Sequence, residues 1–540
     1  MSRSTATPTP APPVPAAAGH APAEASGMSH RQILEAMSGL MLGMFVAILS
    51  STVVSTSLPI ILADLGGSQS AYTWVVTSTL LALTVSTPIW GKLADLFNRK
   101  TLVQTGLVIY TTASVFAGLS QNTSQLIFFR VLQGIGVGAM TSLVQVILAD
   151  LVSPRERGRY AGYLGAVFGV GTVIGPLIGG VLTDSIGWRA CFYVGVPFAA
   201  LAFVVLQRTL KLPPREKRSV RIDYLGALTI AGSVSSLLIW VSLAGHQFAW
   251  ASWQTAALVS LGLLLGAAAV AVERRAKDPL VPLRLFKDRN IVLAVIASVA
   301  VGTVMFGTTV FLSQYLQLAR GMTPTESGLL SIPMVAGLFL SSTIIGRKVS
   351  ATGRYKNWML LGTVLLTAGL LLMGTLDEHT SLVELGVFMF AIGAGVGMLM
   401  QNLVLVVQNT VARSDMGAGS SLVAFVRSLG GAVGVSVLGA VLASRASSTI
   451  ESGLTAAGVP AGSVESSQVP DLSTLPQPVV QLVEHAYGVG VAEIFLVAAP
   501  MSIIAFIAVS LMKERPLGTK SGIELATERQ QADTAAPSAA

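Results

Sequence analysis

A single cysteine, Cys191, is the chain's whole stock of thiol, which excludes an internal disulfide and any cysteine-rich metal centre. Histidine is nearly as scarce. His20, His30, His246, His379 and His485 lie in tails or connections and never at helical ligand spacing, so an HExxH-type zinc site is absent. Charge is short as well: Asp, Glu, Lys and Arg make up 11% of the 540 residues, against about a quarter in ordinary soluble proteins. Hydrophobic residues reach 52% and mean hydropathy is +0.70. This balance leaves little for a soluble domain and points to an all-α integral membrane protein, whose length is counted in spans of about 20 residues. Within those spans a further absence matters. Of the 26 acidic residues none falls clearly at mid-membrane; the nearest, Glu35, Asp150, Asp223 and Glu493, stand towards the ends of apolar runs, where capping or pairing with an arginine is the expected role.

What is present is a succession of apolar runs with polar breaks. It predicts fourteen spans near 37–62, 72–91, 102–120, 125–149, 160–183, 189–208, 223–245, 252–272, 290–315, 326–345, 357–375, 383–407, 417–443 and 489–512. The division that follows is a disordered tail over 1–34, a six-helix half over 35–210, and linkers with two inserted helices over 211–288. A second six-helix half over 289–515 carries a long external loop at 444–488, and a second disordered tail covers 516–540. The first residues, rich in Ala, Pro, Ser and Thr, have no apolar core of a signal peptide.

Basic residues orient the chain. Lys92, Arg99 and Lys100, then Arg155, Arg157 and Arg159, then the groups 208–221, 274–289 and 347–356, all fall in connections of one parity. Arg189, Arg320 and Arg445 are the exceptions, and Arg130 and Arg427 lie inside spans. That asymmetry predicts a multi-pass protein of the plasma membrane with both termini cytoplasmic. The net charge of +8 is thus an orientation signal and not a nucleic-acid footprint. Membrane lipid is the surrounding partner.

Three stretches carry more than hydrophobicity. After the second span comes Gly91-Lys92-Leu93-Ala94-Asp95-Leu96-Phe97-Asn98-Arg99-Lys100. Its Gly91 permits close backbone approach, and Asp95 with Arg99 and Lys100 can form a charge cluster that holds one access state. Gly346-Arg347 with Arg354-Tyr355-Lys356 repeats the pattern after the tenth span, with Ser350 in the place of Asp95. Parallel halves with a site between them are a transporter design. The fourth run holds Arg130, a buried cation with Gln133 one turn away as a polar partner. The fifth run, 160–183, places Gly165 and Gly169, then Gly171, Gly175 and Gly179, four apart on helical stripes where backbones can meet, and Pro176 removes a backbone donor beside Gly175.

Together these motifs resemble the major facilitator superfamily, in its fourteen-helix drug:proton antiporter branch. The loop at 91–100 is similar to the family's signature between helices two and three, Leu126 to Gly138 to its fourth-helix motif, and the glycine helix to the antiporter motif on helix five. Tyr315-Leu316-Gln317 and Phe425 to Gly431 resemble the branch too. The resemblance implies a major-facilitator fold of two six-helix halves plus two inserted helices. It also implies a secondary exporter of hydrophobic or amphiphilic compounds, drugs and antibiotics among them, working by alternating access with the proton as coupling ion and no other cofactor or metal. Two departures stand out: Ser50 where the family usually has an aspartate, and Gly195 where relatives often carry asparagine.

Serine cannot titrate, so the coupling group falls to Asp95 or Asp150, and a cavity without a fixed carboxylate suits neutral or anionic amphiphiles. Expected cavity-lining residues are Ser50, Ser51, Thr52, Gln133, Gln401 and Asn402. Expected gating residues are Asp95, Arg99, Arg130, Asp150, Gly175, Pro176 and Arg427. The same fold exporting lipid or metabolite with weak or no coupling is the alternative. A membrane-embedded transferase would need an acidic or metal-binding cluster at one face, which the sequence does not offer.

Overall fold

The computed structural model describes residues 30–65, 69–210, 223–245, 247–276, 278–377, 379–456 and 477–518. Within them, fourteen helices are long and apolar enough to cross a membrane. The first six are α1 (His30–Asp64), α2 (Gln69–Leu96), α3 (Arg99–Gly118), α4 (Thr123–Leu151), α5 (Arg157–Ser185) and α6 (Gly195–Thr209), the last completing a span that begins with the short helix Ala190–Tyr193. The inserted pair is α7 (Tyr224–Leu243) and α8 (Trp253–Arg275). The last six are α9 (Arg289–Gln314), α10 (Ile332–Thr352), α11 (Lys356–Met373), α12 (Leu382–Thr410), α13 (Met416–Ala456) and α14 (Gln477–Leu511).

Short polar caps start these helices where the apolar runs alone leave the ends open. Asn98, Asn122, Asp223 and Asp288 accept from backbone N–H groups in the first turns of α3, α4, α7 and α9, satisfying donors that a helix start leaves over. Gly353, at φ 72°, ends α10 in the left-handed region. Asp223 therefore serves as a cap.

Each half has its own packed core. Met37, Leu40, Leu107, Tyr110, Met140, Leu143 and Leu206 belong to the first; Val301, Met359, Leu366, Met389, Leu399 and Phe495 belong to the second. The halves meet along two lines, α2 against α13 and α5 against α10, and α7 lies beside both α2 and α13.

The helices outrun the predicted spans. α1 begins at His30, inside the stretch expected as tail, with Ile33, Ala36 and Met37 buried; residues 1–29 lie outside the described residues. The external loop expected over 444–488 is helical at both ends, because α13 continues to Ala456 and α14 starts at Gln477. Ile450 and Leu454 pack there on Val483 and Ala486, a small apolar cluster that the Ser- and Ala-rich composition hides. Residues 457–476 lie outside the described residues.

Beyond α14 the chain becomes a strap over the face that carries the signature loop, here called the basic face. Asn290 holds both backbone groups of Lys513, at 2.7 and 2.9 Å. The Glu514 carboxylate accepts from the backbone N–H groups of Tyr355 and Lys356, and Arg515 pairs with Asp288 at 2.8 Å. Asn409 donates to the Pro516 carbonyl, and the Gly518 carbonyl accepts from the backbone of Arg155 in the first half. The second tail, expected disordered from 516, is therefore docked through Gly518; residues 519–540 lie outside the described residues.

Candidate functional site

The two halves are fastened to each other at the basic face. Asp95, at the end of α2, accepts from the backbone N–H groups of Gly417 and Ala418 at 2.8 and 2.9 Å. A carboxylate here meets the positive end of α13 and two of its unspent donors. Gly91, one turn earlier, makes room: a Cβ there would run into the Ser421 side chain and come within 2.9 Å of the Gly417 carbonyl. Arg99 anchors Asp95 from behind at 3.8 Å, pairs with Asp150 of α4 and donates to the Ala94 carbonyl at 2.9 Å. The expected charge cluster thus comprises Asp95, Arg99 and Asp150. Lys100 leaves it for the Gln207 carbonyl, 2.8 Å away, because it starts α3 on the flank facing α6.

Two further links cross the same seam, and the sequence reading passed over both. Arg157, 5% exposed, donates to the Val152 and Ala149 carbonyls of its own half and to the Gln408 side chain of α12 at 2.8 Å. Gln408 in turn donates to the Gln145 carbonyl and to Ser420. Arg155 donates to the Ser350 and Ala351 carbonyls at the end of α10. The repeated loop pattern thereby gains a physical meaning. In the first half the loop offers a carboxylate to a helix start, and in the second, where Ser350 stands for Asp95, it offers backbone carbonyls to an arginine. In sequence, Arg155 and Arg157 are indistinguishable from ordinary orientation charge, and only the Gln in the apolar run before Asn409 hints at a buried partner.

Inside the first half lies a closed polar cluster. Arg130, 3% exposed, donates to the Val75 carbonyl and to Gln133, which donates to Ser114 at 2.8 Å. The cluster thus joins α3 and α4 to the end of α2 that holds Val75, with the cation satisfied by a carbonyl and an amide where the usual first-helix aspartate is missing. Gln133, 1% exposed, is spent in this cluster, and so it does not line an open cavity.

The other expected lining residues diverge. Thr52 bonds the carbonyls of Ile48 and Leu49 and, across to α5, that of Gly171 at 3.2 Å. Asn402 turns back on the Met398 carbonyl at 2.7 Å. Ser51 is exposed. Gln401 borders a crevice of about 10 Å³ between the halves, with Met44, Gly165, Phe168, Leu338, Ser342 and Met400 around it, which is room for about one water.

The glycine helix presents two different faces. Gly165 and Gly169 meet Leu338, Ser342 and Val335 of α10 across the seam, whereas Gly171, Gly175 and Gly179 press on Ile48, Thr52 and Val53 of α1 within the first half. The Gly165–Gly169 face is therefore the contact between the halves; Gly175 belongs to the contact within the first half, and α5 runs on as one helix through Pro176. Arg427 is buried on α13.

A bundle of fourteen spans, with charged links crossing between two six-helix halves at one face only of those described here, has the architecture of a membrane carrier. Comparison with known proteins makes this specific. The family model described as Major Facilitator Superfamily matches residues 40–435, and the chain belongs to that family. It is 38% identical over 485 residues to an uncharacterised MFS-type transporter of Mycobacterium tuberculosis, covering 89% of this chain and 69% of that one. Identity is 36% to the multidrug transporter protein MdtP of Bacillus subtilis, covering 76% of this chain and 75% of that one. It is 31% to Multidrug resistance protein 3 of Bacillus subtilis, covering 88% and 94%. The fold matches the crystal structure of the human organic anion transporter MFSD10 with a TM-score of 0.57 at 16% identity, over 87% of this chain and 99% of that one. The chain is thus a multi-pass membrane transporter and not an enzyme.

Proposed function

We propose that the protein is a secondary active exporter of hydrophobic or amphiphilic small molecules, antibiotics among them. It sits in the plasma membrane with its basic face and both termini in the cytoplasm and works by alternating access in exchange for protons. The observation that carries the reading is the fastening across the seam at the basic face: Asp95, Arg157 and Arg155 each bind the opposite half, so parting the halves there must break all three together. The multidrug names of the relatives at 36% and 31% identity support efflux. Asp95 and Asp150, joined through Arg99, are the titratable groups placed where access changes, and protonating either would loosen the link. With serine at position 50, the interior favours neutral or anionic amphiphiles over cations.

The test is purified protein in liposomes with an imposed pH gradient and an internal pH dye. Amphiphile accumulation that discharges the gradient supports antiport. Accumulation without proton movement would sink antiport while leaving an uncoupled lipid or metabolite exporter, the reading that Ser50 favours. Transport of cationic dyes alone would overturn the substrate class.

A further inference from the structure

Of the buried arginines, Arg130 and Arg427 lie within predicted spans, and their surroundings differ. Arg130 is answered by a carbonyl and an amide. Arg427, 8% exposed, has an Nη1 with no acceptor, and no carboxylate pairs with it among the described residues. Counted from Met416 at the start of α13, it lies about 16 Å in from the basic face by helical rise, near the middle of a hydrocarbon core about 30 Å thick. An unanswered guanidinium at that depth is costly and is retained for a partner that comes and goes.

Its position on the helix says from where that partner arrives. Arg427 shares a stripe with Ser420, two turns nearer the basic face, and Ser420 accepts from Gln408, which reaches Gln145 of the first half. The stripe thus reaches the junction between halves at Ser420, and at Gly434, two turns beyond Arg427, it packs on Thr303 of α9. Gln401, which borders the crevice between the halves, lies about 14 Å from the end of α12 by the same rise and so at nearly the same depth. On the other flank, the Arg427 carbonyl sits so close to Gly302 of α9 that a Cβ there would overlap it, which fixes the rotation of α13 at this level.

We propose that Arg427 is the anion-recognition residue of the transport pathway. When the halves part, its guanidinium takes the monoanionic headgroup, carboxylate or sulfonate, of an amphiphilic substrate whose apolar body lies along the crevice. The planar donor fork suits such oxyanions in a paired geometry that an ammonium cannot copy. This assignment rests on the transporter reading with neutral or anionic amphiphiles given above.

The test uses the full-length protein, wild type, R427Q and R427K, with decanesulfonate, decanol, decyltrimethylammonium and methanesulfonate as probes. Thermal unfolding is read by tryptophan fluorescence, and transport is read in liposomes. Decanesulfonate is expected to raise the melting temperature where decanol, the cation and methanesulfonate do not. Its apparent affinity should fall about tenfold or more in R427Q, the loss of a charge-assisted contact, with R427K in between. An R427Q protein stabilised by decanesulfonate as well as the wild type would overturn the proposal, as would equal stabilisation by methanesulfonate. Should R427Q not fold, the wild type alone decides, because equal stabilisation by all three decyl probes refutes headgroup recognition. Wild-type liposomes that move none of the probes would instead strike the transporter reading, while Arg427-dependent stabilisation stands or falls separately.

Discussion

Asp95 in the first half and Gly417 in the second are joined by a hydrogen bond of 2.8 Å from backbone to carboxylate, with Ala418 adding a second at 2.9 Å. The bond is strong because the acceptor is charged and the donors belong to a helix start. D95N keeps the shape and removes the charge. It should cost about 1.5–3 kcal/mol at this link and speed amide exchange in the first turn of α13, measured by hydrogen-exchange mass spectrometry. Unchanged exchange there would mean that Asp95 does not hold the closed face.

The α5 faces predict opposite outcomes for two glycines on one helix. A Cβ at Gly175 would overlap the Thr52 side chain, whereas nothing lies within 4 Å of one at Gly180. G175V should lower the melting temperature of the purified protein by parting α1 from α5, an overpacking cost of about 1–3 kcal/mol. G180A should leave it unchanged or raise it, since alanine loses less chain entropy than glycine by about 0.5–1 kcal/mol. Equal effects of the two would contradict the packing described.

Ser50 and Arg130 are both buried in the first half, and Arg130 reaches Ser114 of α3 through Gln133. S50D buries a carboxylate in the same half, where the cation can balance it. In a double-mutant cycle of melting temperatures, S50D should be tolerated with Arg130 present and strongly destabilising beside R130Q, with a coupling of about 1–3 kcal/mol. Additive effects would show that the two sites do not communicate.

Asp64 gives an acid-side signature. The hydrogen bond from Trp188, with Arg189 alongside at 3.1 Å, holds its carboxyl below the ordinary 3.8. Because the folded pKa is the lower one, the unfolded chain binds more protons in the window between the two values, and stability rises with pH there. The contribution is present at neutral pH and lost as pH falls through the lowered pKa. D64N should abolish that acid-limb loss in unfolding curves. A D64N curve parallel to wild type below pH 4 would count against the contact.

The spans were legible in the sequence because hydrophobicity at this length has few other meanings. Their ends were less so: the turns of α13 beyond Ser444 and of α14 before Gly488 carry Ser, Thr, Glu and His, and only their packing on each other makes them helix. Among the expected gating residues, Asp95 and Arg99 could be named because a motif surrounds them, and Asp150 because few carboxylates stand at the ends of the apolar runs. Arg157 could not, since its partner Gln408 lies 251 positions away and its charge looks like every other inside arginine. The expected binding set is dispersed for a different reason. Ser, Thr, Asn and Gln in a membrane bond whatever is nearest, as Thr52 and Asn402 do with backbone carbonyls, and no spacing rule tells glue from lining.

The strap from Lys513 to Gly518 ends on the backbone of Arg155, the residue whose side chain grips α10. The terminal segment is thus mechanically in series with the closed face. A dye attached just past Gly518, outside the bilayer, would report opening without touching a transmembrane residue, and a bulky purification tag fused there would pull on the same joint. Placing the tag at the other terminus, or behind a spacer, keeps the handle from becoming a wedge.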